Sequence, residues 1–338
     1  MVRVDAGSTF PGLFWAGEPD RGEIVVITGF WELRIPAQKG KSSTPPDAWQ
    51  AIRKTRTKIW RLCFTLFILS IYSGGKVKFF VFTVVELEVA KEGIVVITLD
   101  SPENANAISK SLLEGLHSRI AAAILQKPRV LILQATGKAF CAGADLKERK
   151  TMSQDDVLDF LDSLRDLFQK IESLPFVTIA SLQGAAFGGG LELALCFDFR
   201  IASEDASLGL TETKLGIIPG AGGTQRLARL VGLGKAKEWI FSGKRGTAKE
   251  ALEIGLVNLV SKSEELKKST LEFSNIFLDS APLSIAHAKR AMMQGIATDL
   301  ESGLDIERRE YLEILKTEDR VEALNAFQEK RKPIFKGK

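Results

Sequence analysis

The chain has 338 residues, enough for one large domain or two and for a substantial buried core. Its 45% hydrophobic and 26% charged content is that of an ordinary globular protein. A net charge of +4 admits anionic ligands such as phosphates but does not by itself argue for nucleic acid, and three cysteines (Cys63, Cys141 and Cys196), none in a Cys-x-x-Cys pair, are too few for a disulfide framework.

Only two histidines are present, His117 and His287. A Ser-His-Asp triad, a Cys-His pair or a His-rich metal site would have almost nothing to be built from. Both histidines fall in helical patterns and read as helix-surface residues. Catalysis is therefore expected to run on carboxylates.

Residues 1–80 differ from the rest. They hold four of the five tryptophans (Trp15, Trp31, Trp49 and Trp60), a polar linker "KGKSSTPPD", and a basic run "RKTRTK" ahead of the apolar stretch 62–72. That stretch is too short to span a bilayer but suits the h-region of a signal. Asp5, Glu18 and Asp20 are unlike an acid-poor transit peptide. Gly40-Lys41-Ser42 ends like a phosphate loop, yet Ile35 stands where its first glycine must be. The segment reads as a leader or a poorly ordered N-terminal extension without chemistry of its own.

From Val84 the pattern becomes orderly. "VVELEVAKEGIVVITLD" gives two β-rich runs joined at Lys91-Glu92-Gly93, a hairpin signal. A helix is expected from Ser101-Pro102 onward, with helical spacing at Ile108, Leu112, Leu113, Leu116 and Ile120. "RVLILQAT" reads as a short buried strand before the loop "GKAFCAGADLKE". A helix over "DDVLDFLDSLRDLFQKIESL" stops at Pro175, "FVTIASLQG" is a strand, and "FRIASEDASLGL" a strand and turn. Strands alternating with helices imply an α/β fold with largely parallel pairing and right-handed crossovers. After about Ala248 the pattern reads as almost wholly helical.

Two glycine loops, "AFCAGAD" (139–145) and "FGGGLELA" (187–194), each follow an apolar strand and precede a helix. Backbone N–H groups at a helix start are unpaired and lie at the positive end of the dipole, and glycine lets a ligand come close. Two such loops meeting would aim two N–H donors at one oxygen, as in an oxyanion hole; the alternative is tight strand–helix packing on small residues. "GAGGTQ" lacks the last glycine of a dinucleotide fingerprint, with Gln225 in its place. Two acids stand near these loops. Glu192 lies among apolar residues, and Glu212 precedes the Gly/Pro-rich "IIPGAGG". Paired carboxylates in one pocket can divide water activation and proton transfer between them. Spacing alone leaves open whether they meet, and Glu212 reads equally as a surface acid beside Lys214.

"KAFCAGADLKE", "GGGLELAL" and "GLTETKLGIIPGAGGTQRLARLVG" resemble the crotonase (enoyl-CoA hydratase/isomerase) superfamily, nearest to its mitochondrial enoyl-CoA and methylglutaconyl-CoA hydratases. The resemblance runs from Val84 to the C-terminus. It implies an α/β crotonase-like spiral of ββα units over residues 84–270 and a helical C-terminal region over 271–338, assembled as a homotrimer or homohexamer. It implies that Ala144 and Gly189 offer N–H groups to the thioester oxygen and that Glu192 and Glu212 are the two acids of true hydratases. Acyl-CoA contacts would run along Ala144, Asp145, Leu146, Lys147 and Gly189.

The implied reaction is water addition across the 2,3 double bond of an α,β-unsaturated acyl-CoA, in fatty-acid or branched amino-acid breakdown. It needs no metal or redox cofactor, because CoA enters with the substrate. Phe187 replaces a smaller aliphatic residue and implies a narrower acyl pocket, and Cys196-Phe197 implies a repacked core. AU-rich RNA binding and a catalytically silent subunit are the alternatives. The first helix carries only Lys110 and Arg119 as a basic footprint. A mitochondrial location is implied, with cytoplasmic and peroxisomal alternatives; the chain lacks a terminal Ser-Lys-Leu.

Overall fold

A computed structural model describes residues 84–338 throughout and, before them, only the backbone of five strands. Strands β1 (Leu13–Trp15), β2 (Glu23–Thr28) and β3 (Trp31–Pro36) form an antiparallel sheet within a unit ending at Phe64. Strands β4 (Phe67–Ser73) and β5 (Lys76–Phe82) pair as a hairpin. The reading of residues 1–80 as a leader falls largely outside the described residues.

The main body is a spiral. β6 (Val85–Lys91) and β7 (Ile94–Leu99) pair antiparallel around Gly93, whose φ of +80° suits glycine. Three rounds follow, each a long strand, a short strand and a helix. β8 (Val130–Ala135) leads to β9 (Ala139–Cys141), β10 (Val177–Leu182) to β11 (Ala185–Phe187), and β12 (Phe199–Ser203) to β13 (Ser207–Gly209). With β15 (Leu259–Ser261), the long strands join a six-stranded sheet, β15-β12-β10-β8-β7-β6, parallel from β7 to β15. The short strands β9, β11 and β13 run parallel in a second sheet closed by β14 (Gly246–Thr247).

Side-chain alternation explains why the long strands read as continuous apolar runs. On β7, Val95, Ile97 and Leu99 enter the larger core, while Ile94 and Val96 enter a second core on the other face. Helices α1 (Lys110–Leu125) and α3 (Gln154–Glu172) supply Leu112, Leu116, Leu164 and Phe168 to the larger core. The second core is covered by Leu266 and Phe273 of α8 (Leu266–Asn275) and Ile285 of α9 (Pro282–Gly295). Phe199, Phe273 and Phe277 pack there ring to ring, with centroids 4.9–5.4 Å apart. Lys289 of α9 also reaches Asp198 at 2.9 Å.

Two expectations are corrected. The first α-helix starts at Lys110, capped by Ser109; Ser101-Pro102 instead opens a single 3₁₀ turn, Pro102–Asn104, followed by a tight loop. There the fully buried Asn106 accepts from Ser101 N and donates to the carbonyls of Thr136 and Ala139, bonds a helix could not provide. The region after Ala248 also contains a strand, β15 (Leu259–Ser261), parallel to β12. Three half-buried edge residues are too short a run to register against the surrounding helices. After α6 (Leu233–Ser242), helices α7 (Ala248–Glu253), α10 (Leu300–Ile314) and α11 (Glu318–Gln328) complete the helical end.

Candidate active site

Parallel pairing of β9 with β11 sets the two glycine loops side by side. The first loop is tied down by Ile108, whose N–H donates to Gly143 O (2.7 Å) and whose carbonyl accepts from Asp145 N (3.1 Å). The second turns at Gly188 (φ +51°) into the short helix α4 (Gly189–Ala194). Glycine is demanded by proximity: a Cβ on Gly190 would stand 2.2 Å from the Cys141 carbonyl oxygen. A Cβ on Gly143 would lie 3.6 Å from Gly189 N, and one on Gly189 3.8 Å from Ala144 N. The two N–H groups are thus neighbours, and neither has an acceptor among the described residues.

Glu192 sits one turn into α4, 3% exposed. Its Oε1 accepts from Ala221 N and Gly223 N, both at 2.8 Å. Burial pushes its pKa up, while those two N–H groups and the nearby Arg226 charge pull it back. Glu212 opens a 3₁₀ turn, Glu212–Leu215, that follows β13. It is 8% exposed, so it is not a surface acid. Its Oε1 would be 3.1 Å from a Cβ on Gly188, and its Oε2 is buried without a hydrogen-bond partner. Burial, and then the charge of Glu192, raise its pKa to about 7. The two acids bracket the second glycine loop and feel one another's charge.

The remaining sequence-derived positions line the two loops and their rim. Ala144 and Gly189 are half-exposed, as a ligand-facing N–H requires. Asp145 caps α2 (Leu146–Arg149), its carboxylate accepting from Lys147 N and Glu148 N. Leu146 and Lys147 are exposed at the rim. Phe187 stacks under the Arg245 guanidinium, 4.5 Å from centroid to charge. Cys196 donates its thiol to the Glu192 carbonyl at 3.1 Å, and burial pushes the Cys141 thiol up to about 12, which leaves it protonated.

His287 is not a simple surface residue: it is half-buried and pairs with Glu310 of α10 at 2.7 Å. The 219–223 turn and its two donors to Glu192 were not foreseen from sequence. Their one visible sign is the glycine cluster "GAGG", with Gly222 at φ +103°.

The chain matches the "Enoyl-CoA hydratase/isomerase" family over residues 89–338. It is 46% identical over 256 residues to "Enoyl-CoA isomerase/hydratase fer4" of Mycosarcoma maydis, covering 73% of this chain and 93% of that protein. It is 42% identical over 257 residues to "Methylglutaconyl-CoA hydratase, mitochondrial" of Mus musculus, covering 74% of this chain and 82% of that protein. Among solved structures, an enoyl-CoA hydratase from Bacillus anthracis superposes with a TM-score of 0.73 at 45% identity, covering 75% of this chain and all of that one.

Proposed function

The chain belongs to the enoyl-CoA hydratase/isomerase family, and we propose that within it the chain is a hydratase, adding water across the 2,3 double bond of a short α,β-unsaturated acyl-CoA. The observation that carries this is two buried carboxylates beside two N–H groups with no acceptor of their own. The Ala144 and Gly189 N–H groups grip the thioester oxygen. They stabilise the enolate that forms as electrons move from the double bond, where each donor is worth roughly 10²–10³ in rate.

Glu192, held by two backbone donors, is the ionised partner. It takes a proton from water as the water oxygen bonds to the β-carbon. Glu212, with its pKa near neutrality, delivers a proton to the α-carbon. One water is consumed, and the two carboxyls end with one proton between them, as they began. In this reading Asp145, Leu146 and Lys147 border the CoA chain. CoA arrives with the substrate, and the scheme calls for no further cofactor.

A double-bond isomerase is the second reading, and the first relative's printed name combines both activities. Two acids rather than one favour water addition. RNA binding is less well supported, because Arg119 is spent on the Val85 carbonyl and Lys110 faces Asp156 at 3.8 Å. Exposed apolar side chains such as Ile218, Phe241 and Phe327 support assembly into a homotrimer or homohexamer. A mitochondrial location rests on the printed names of relatives such as the mouse protein.

The test is turnover of crotonyl-CoA and 3-methylglutaconyl-CoA, followed as loss of the conjugated thioester absorbance. Glu192→Gln and Glu212→Gln are each expected to lower kcat by about 10²–10⁴-fold. Well-folded protein that hydrates no short enoyl-CoA, or that instead generates conjugation from a 3-enoyl-CoA, would overturn the hydratase reading.

A further inference from the structure

Arg226, on α5 (Gly223–Val231), touches neither glycine loop, yet it is wired to Glu192. Its Nε and one terminal nitrogen fork onto Glu172, at the end of α3, at 3.1 and 2.9 Å. Its other terminal nitrogen donates to the Ala221 carbonyl at 2.9 Å. Ala221 is also the residue whose N–H holds Glu192 Oε1. Side chains crowd the turn it grips. A Cβ on Gly222 would lie 2.2 Å from the guanidinium, and one on Gly223 would meet Glu192 at 3.0 Å.

A bidentate fork is a rigid, charge-assisted contact, so Arg226 has little freedom of its own. Its side chain is 16% exposed, where a charge is poorly screened. Glu192 feels the charges of Arg226 and Glu212, and the thiol of Cys196, bonded to the Glu192 carbonyl, lies near Arg226, Glu172 and Arg200. Arg200 spends its guanidinium on four backbone carbonyls, among them Leu256 at 2.7 Å and Phe197 at 2.6 Å. Arg226 is therefore the cation in this group bonded to the turn that binds Glu192.

We propose that Arg226 is a positioning residue for Glu192: locked by Glu172, it fastens the 219–223 turn whose N–H groups hold the Glu192 carboxylate and sets a positive charge near it. Glu172 acts only through Arg226. The inference rests on Glu192 being the water-activating base.

Full-length Arg226→Met, Arg226→Lys, Glu172→Gln and the double variant Arg226→Met/Glu172→Gln test it, with two readouts. The first is the pH profile of crotonyl-CoA hydration. Arg226→Met is expected to lower kcat about 10–100-fold, with KM changed less than about threefold. Its acid limb moves up by about one pH unit or more, because removing a nearby cation makes Glu192 harder to ionise. Arg226→Lys restores the limb but only part of kcat, since an ammonium cannot make the fork. Adding Glu172→Gln to Arg226→Met costs nothing further.

The second readout is infrared titration of the Glu192 carboxylate, isolated by subtracting the spectrum of the matching Glu192→Gln variant, in a Glu212→Gln background. It needs no turnover. Parent protein that hydrates no enoyl-CoA would end the hydratase reading, while the infrared midpoint still decides the clamp. An unmoved midpoint in Arg226→Met, or additive losses in the double variant, overturns the proposal. If the methionine variant does not fold, unchanged kcat in both Arg226→Lys and Glu172→Gln overturns it.

Discussion

Glu212 is a carboxyl group placed where it is most comfortable uncharged. With a pKa near 7 in the fold and near 4.5 when exposed, the folded chain binds its proton more tightly than the unfolded chain does. Its contribution to stability is therefore full below about pH 4.5 and is lost as pH rises through about 7. Glu212→Gln removes that ionisation. We expect its Tm to match the parent near pH 4 and to exceed it by about 2–4 °C at pH 8, measured by calorimetry, as a gain of about 1 kcal/mol would give. In the proposed hydration the same proton is the one donated. The alkaline limb of kcat/KM for the parent protein is thus expected near or somewhat above pH 7, and a profile flat to pH 9 would remove Glu212 as the acid. Stability and chemistry pull in opposite directions at this residue, as they commonly do at buried titratable groups in active sites.

At the scale of elements, the site is made by two short helices and two turns that could not hold together alone. α4 has only six residues, too few to be stable without its neighbours. It is fixed at its start by Gly188, whose N–H donates to Gly209 O at 2.9 Å, and at its end by Arg200 on the Phe197 and Ala194 carbonyls. Close packing of its second glycine against β9 is the least forgiving contact. Gly190→Ala would drive a methyl into the Cys141 carbonyl, and neither backbone can yield without parting β9 from α4. A loss of at least about 2 kcal/mol is expected in denaturant unfolding, together with loss of turnover; wild-type stability would show that the loops are more pliant than drawn.

This scale also separates what could be read from sequence from what could not. Alternation of apolar strands, helical spacing and glycine loops each have a local period or a local residue type, so the ββα order was legible. Asn106 was not. Its value lies in three bonds to backbone groups, two of them thirty or more positions away, and nothing in "ENANA" signals them.

Across the whole molecule, residues 84–338 contain both cores, both sheets of the spiral and every site residue. A chain shortened to 84–338 is expected to keep the parent's crotonyl-CoA turnover within about twofold. Light scattering is expected to give it a mass of three or six chains. Loss of activity in folded, shortened protein would give the N-terminal segment a part in the site.

The sequence by itself determined the class of fold and the two glycine loops and marked both acids as candidates, because each is written in a short run of residue types. Only the tertiary structure decided that Glu192 and Glu212 come near enough to feel one another's charge, and it alone brought in the turn at 219–223, Arg226 and Glu172. Glu172 and Arg226 are 54 positions apart, on helices whose meeting depends on the winding of the spiral. Hydrogen bonds and charge act through space over a few ångströms, and sequence separation carries no record of that distance.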